Sequence, residues 1–163
     1  MAEDASSMIL LVTSLLLSGA ASVVLLESWG EVAKVSAINA SGQVANAETD
    51  VSFSGDRSDI LLSGTNPNQE ITLYFQNTGV RPLEKSSFNI FIDGQVSQTV
   101  GSATLYPTNG VWASDYILEV TVSNASFNYN DQDRVTVTIV VQSTVSEGVK
   151  GTDSETAEVK LNV

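Results

Sequence analysis

SMILLVTSLLLSGAASVVLL, residues Ser7 to Leu26, is a run of twenty positions without a charge, near the start of a chain that is otherwise acidic and rich in β-branched residues. An α-helix rises about 1.5 Å per residue, so such a run spans roughly 30 Å, the hydrocarbon thickness of a bilayer. The length predicts a membrane-spanning helix. The flank Met1-Ala2-Glu3-Asp4-Ala5-Ser6 carries no Lys or Arg, whereas a secretory signal has a basic n-region and a shorter apolar core. Cleavage after Ser18-Gly19-Ala20 is the competing reading. Glu27, Ser28 and Trp29 close the run, and an indole at that point suits a membrane interface, where its apolar body and its N–H both find partners; the alternative is a packed residue at the base of a stalk.

Working outward, Glu27 to Ser41 has helical spacing, with Val32, Val35 and Ile38 on one side. It is read as a stalk continuing the membrane helix, with Gly30 a candidate kink at the surface. Gly42 to Thr49 is small and polar, as a linker is. The expected organisation is therefore a spanning and stalk helix over residues 1–41, a linker over 42–49 and a β domain over 50–163, with the N-terminus inside and the β domain outside the cell membrane.

From Asp50 the hydrophobic period changes to two. Ile71, Leu73 and Phe75 alternate with polar neighbours, as do Phe88, Ile90 and Ile92; Leu118, Val120 and Val122; Val135, Val137, Ile139 and Val141; and Val159, Leu161 and Val163. Shorter strands are expected around Val51–Phe53 and Ile60–Leu62. Asp93-Gly94 has the composition of a two-residue type I′ hairpin turn, and Asn77-Thr78-Gly79, Asn109-Gly110 and Asn128 to Asp133 mark other breaks. Seven or eight short strands without helical period predict a mainly β fold: an immunoglobulin-like antiparallel β-sandwich behind an N-terminal α-helix.

Composition excludes several function classes. The chain has 19 acidic and 7 basic residues, for a net charge of −12, so it repels nucleic acid. That acidity fits a surface kept soluble at high salt, or one meeting a cation-bridged partner. There is no His and no Cys, which removes the commonest general base, thiol nucleophiles, the usual zinc ligands and any disulfide framework. No enzyme activity and no cofactor are expected. Asp131 and Asp133 lie in the oxygen-rich turn Asn128 to Asp133, which resembles a calcium loop in composition but lacks the glycine and distal glutamate of an EF-hand; a solvated loop is the alternative.

Three groups of residues are candidates for contact or modification. Ser14, Ser18 and Ser22 recur every four residues beside Gly19, a small-residue stripe that lets a second helix approach and its hydroxyls bond across the contact. Tyr106, Trp112 and Tyr116 gather around Pro107, either to grip a partner or sugar or to plug one end of the sandwich. Asn39 and Asn124 each open an N-x-S sequon and are candidate glycosylation sites on an exported surface.

An apolar N-terminal helix followed by a β domain carrying ITLYFQNTGVRPLEKSSFNIFIDGQ, Ile71 to Gln95, resembles the archaeal flagellum (archaellum) stator proteins of the FlaG and FlaF families. Leu73 to Gly79 followed by Phe91 to Gln95 is similar to their "strand, N-T-G, strand, D-G" region, more so to FlaG. The resemblance implies a membrane-anchored, non-enzymatic β domain that holds the motor by contact with surface-layer or filament proteins. The wider pilin-like group, with archaellins, shares the helix-plus-sandwich plan and implies a second function: a filament subunit that self-associates through its helix in an extracellular archaellum or pilus. Archaellins carry a basic leader before the helix, which MAEDASS does not match, and the stator reading is therefore preferred here. A third function is a membrane-tethered ligand- or glycan-binding sandwich, which requires a concave polar and aromatic site.

Overall fold

The computed structural model describes residues 2–101, 103–108, 110–146 and 148–163, with side chains from Ser6 onward. The chain forms two compact units, Met1–Ser41 and Gly42–Val163. Helix α1 covers Ala2–Ala47 without interruption, so helical hydrogen bonding continues through Gly30.

Ten strands follow: β1 (Val51–Ser54), β2 (Ile60–Ser63), β3 (Glu70–Asn77), β4 (Leu83–Ile92), β5 (Gln95–Val96), β6 (Gln98–Thr99), β7 (Thr104–Tyr106), β8 (Ile117–Ser123), β9 (Arg134–Ser143) and β10 (Thr152–Asn162). They hydrogen-bond in the order β5-β4-β9-β10-β2-β3-β8-β6, with β1 on β3 and β7 on β8. The pairings are antiparallel except at β10 and β2, joined in parallel through Leu161 opposite Ile60. This short seam connects two halves, β5-β4-β9-β10 and β2-β3-β8-β6. A sheet buries its apolar face only against another layer, and here the halves supply each other. Ile71, Leu73 and Phe75 of β3, Leu118, Val120 and Val122 of β8, Ile90 and Ile92 of β4, and Val135 to Val141 at alternate positions of β9 belong to one buried cluster. The fold is the mainly β, antiparallel sandwich with an N-terminal apolar helix that the alternation predicts.

The hairpin at Asp93-Gly94 also forms as expected. Both residues have positive φ, 50° and 78°, as a type I′ turn requires, and Ile92 pairs with Gln95 across it. Asp93 is held further by its carboxylate, which accepts from Thr136 N at 2.8 Å and from the Tyr129 hydroxyl at 3.0 Å.

The structure adds to or departs from the expectations in three places. In the expected linker Gly42 to Thr49, residues to Ala47 are helical, and Ala45 is wholly buried. Val163 does not continue the inward set of β10, since it lies beyond the strand end and is 77% exposed. Strand β10 begins seven residues before Val159, in polar Thr152–Thr156, because β9 offers an unbroken ladder of backbone partners from Gln142 to Arg134. The Asn109-Gly110 turn lies partly outside the described residues at Asn109.

Candidate functional site

The dominant surface feature of the first unit is its helix. Within Met8 to Leu26 every large apolar side chain is exposed, between 52% and 74% of its area. Leu10, Leu11 and Val12, then Leu15, Leu16 and Leu17, then Val23 to Leu26 are consecutive, so the apolar surface goes all round the helix instead of forming a stripe. A helix apolar all round is one surrounded by lipid or by other protein. At about 2 kcal/mol for each large side chain, leaving this surface in water forfeits on the order of 20 kcal/mol. The segment is long and apolar enough to cross a membrane.

The stripe within it is chemically quiet. Ser14 Oγ donates to Leu11 O at 2.9 Å, Ser22 Oγ to Ser18 O at 2.8 Å, and Thr13 Oγ1 to Ile9 O at 2.7 Å. Each of these protons is satisfied within its own helix, which lowers the cost of placing the hydroxyl in an apolar surrounding. What Ser14, Ser18, Gly19 and Ser22 offer a neighbouring helix is small size first, with hydroxyl lone pairs left to accept.

The C-terminal turns of α1 are rooted in the β unit, a feature absent from the sequence reading. Thr49 Oγ1 donates to Ala45 O at 2.7 Å, and Asn46 Oδ1 accepts from Thr152 N at 2.9 Å. Glu48 O accepts from Val80 N and Arg81 N at 2.9 and 3.1 Å. Glu48 Oε2 meets Arg81 Nε at 2.7 Å, and Asp153 Oδ2 accepts from Val51 N at 3.0 Å. Two glycines make this approach possible: a Cβ on Gly79 would overlap Glu48 O and Asp50 N, and one on Gly151 would overlap Ala45 O and Thr49 Oγ1. Asn77, fully buried, holds the opposing loop, donating from Nδ2 to Arg81 O and Trp112 O at 2.9 Å each and accepting from Gly79 N at 3.0 Å.

The three aromatic candidates are divided. Trp112 is 0% exposed, its Nε1 donating to Tyr116 O at 2.9 Å, so it fills the end of the core and presents nothing to a partner. Tyr116 is half-buried and packs against the core cluster. Tyr106 is 48% exposed and its hydroxyl donates to Glu119 at 3.0 Å, a bond that raises the phenol pKa above its ordinary value. They do not line one concave site.

Asn39 is exposed on α1, while Asn124 is half-buried, donating to Val96 O at 2.8 Å and accepting from Ser126 N at 2.9 Å. In the acidic turn, Asp133 Oδ2 accepts from Asn130 N at 2.7 Å and Asp131 Oδ1 from Val163 N at 3.2 Å. These carboxylates cap backbone donors, and among the described residues no group of acidic side chains is arranged to hold a metal.

The exposed part of α1 from Met8 to Leu26 is apolar on every side, a surface suited to a membrane or to an assembly of other helices. Residues 2–159 match the family model of archaeal-type flagellin, and the chain belongs to that family. No individual curated protein matches the chain significantly. The family is one of structural filament proteins, not of enzymes, so the chain is an archaellum-related structural protein. The match supports the archaellum part of the sequence expectation and fits its filament alternative better than the stator families preferred there. The N-T-G and D-G motifs behind that preference are turn chemistry: Asn77 satisfies buried backbone groups, and Asp93-Gly94 supplies two positive φ angles.

Proposed function

We propose that this chain is a filament subunit of the archaellum, with helix α1 packing among the helices of other copies in the filament interior and the β-sandwich facing outward. The carrying observation is that the helix exposes apolar side chains on every side from Met8 to Leu26 and that the match to the flagellin family runs through the helix and on to residue 159 in the last strand of the sandwich. Before assembly, the same surface keeps the chain in the cell membrane, with lipid as its first partner. On joining a filament it exchanges lipid tails for other helices. That exchange has no large hydrophobic driving force, so close packing at small residues decides it. Ser14, Ser18, Gly19 and Ser22 are the positions that permit such packing, and the rooted turns at Ala45 to Thr49 tie the helix end to the sandwich.

The test is Leu16→Asp, a charge in mid-helix. Filaments sheared from cells expressing only the variant are expected to lack the chain, while its sandwich keeps the wild-type circular dichroism spectrum. Filaments of normal yield containing the variant would show that this face of the helix is not buried in an assembly.

A further inference from the structure

Only seven basic residues occur in this chain, and three of them meet on one face. Arg134 of β9 stands directly opposite Lys160 of β10 in the antiparallel ladder, and Arg57 sits alongside, its carbonyl accepting from Lys160 N at 2.8 Å. Arg57, Arg134 and Lys160, with Ser58, Glu158 and Val159, line a shallow cavity of about 200 Å³. Like charges directly across a β ladder are destabilising, and a chain with twelve surplus negative charges has carboxylates to spare for that position. Neighbouring carboxylates relieve the opposition only in part. Glu158 pairs with Arg134 at 2.6 Å and Glu155 with Arg57 at 3.2 Å, each using one nitrogen of a guanidinium with five donors. Asp56 is turned to Ser58 and Asp59 to Asn162. Lys160 makes no ion pair among the described residues.

We infer that Arg57, Arg134 and Lys160 form a docking site for a carboxylate-bearing surface of a second copy of this chain. Charge complementarity selects the occupant. Two copies of a protein with net charge −12 repel, so side-by-side contact is favoured at the few places where cations gather, set against the abundant carboxylates elsewhere on the same surface. The inference rests on the filament reading and deepens it by placing one contact between adjacent sandwiches.

Zero-length carbodiimide coupling on sheared wild-type filaments, followed by peptide mapping of the dimer band, is expected to join Lys160 to a carboxylate of another copy. Lys160→Gln is expected to reduce filament yield about tenfold while leaving the purified subunit's melting temperature unchanged or higher, because the like-charge opposition is gone. Arg134→Gln checks the direction of the assembly effect. A purely structural role for these residues would instead lower the melting temperature. Wild-type filaments in which Lys160 couples only to its own chain or to another component, or unchanged filament yield in both variants, overturn the docking site and leave the filament reading standing. Absence of the chain from wild-type filaments overturns the filament reading and this contact with it.

Discussion

Single residues do most of their work at the helix root. The carbonyl of Ala45 and the hydroxyl of Thr49 occupy the space a Gly151 Cβ would need, so any side chain there must displace the helix end or the β9–β10 connection. Gly151→Ala is expected to cost about 2 kcal/mol, as overpacking of a close contact does, measured by denaturant unfolding in detergent. A cost below a few tenths would show that the root is loose. Tyr129 gives a pH-dependent counterpart. Burial first, then the hydrogen bond to Asp93 and the charges of Asp93 and Asp133, push its phenol up to about 12. Between the ordinary tyrosine value near 10 and that higher one, the unfolded chain has released the proton that the folded chain keeps, so stability is full below about pH 10 and falls as pH rises. Tyr129→Phe is expected to flatten part of this alkaline loss in thermal melts between pH 9 and 12; identical slopes would refute the assignment. Neither feature was legible in the sequence. Gly151 and Tyr129 acquire their roles from Ala45 and Asp93, partners distant in the chain, and no local pattern encodes such a meeting.

Elements were legible where their period was clean. The alternation in β3, β8 and β9 placed Leu73, Val120 and Ile139 in the core, where they are, and Asp93-Gly94 marked its hairpin through the positive φ angles that such a pair tolerates. The polar start of β10 and the helical turn at Ala45 were not, because pairing with β9 and docking on Gly79 and Gly151 override weak local preference. Helix α1 shows a related division. Its length and apolar character could be read directly, but not whether Ser14, Ser18 and Ser22 bond across a contact; the hydroxyl protons of Ser14 and Ser22 go to their own helix. If close packing at these positions drives association, Ser18→Leu with Ser22→Leu is expected to weaken it severalfold in a membrane crosslinking assay. Unchanged crosslinking would remove the stripe from the interface.

At the scale of the molecule, the plan of apolar helix plus acidic sandwich could be read from two changes of pattern, the uncharged run and the switch to period two. The function at that scale was only half legible, since an apolar helix serves equally as a permanent anchor and as the core of a polymer. The acidic surface adds a constraint on either role: copies approach closely only where apolar or cationic groups interrupt the negative field. Membership of the archaeal-type flagellin family across residues 2–159 favours the polymer, and the fractionation of the native protein is its most direct test. Cells sheared to release surface filaments, with filament and membrane fractions analysed by mass spectrometry, are expected to yield this chain as a main constituent of the filament and with α1 protected from added protease. Recovery in the membrane fraction alone, with none in the filament, would contradict the account.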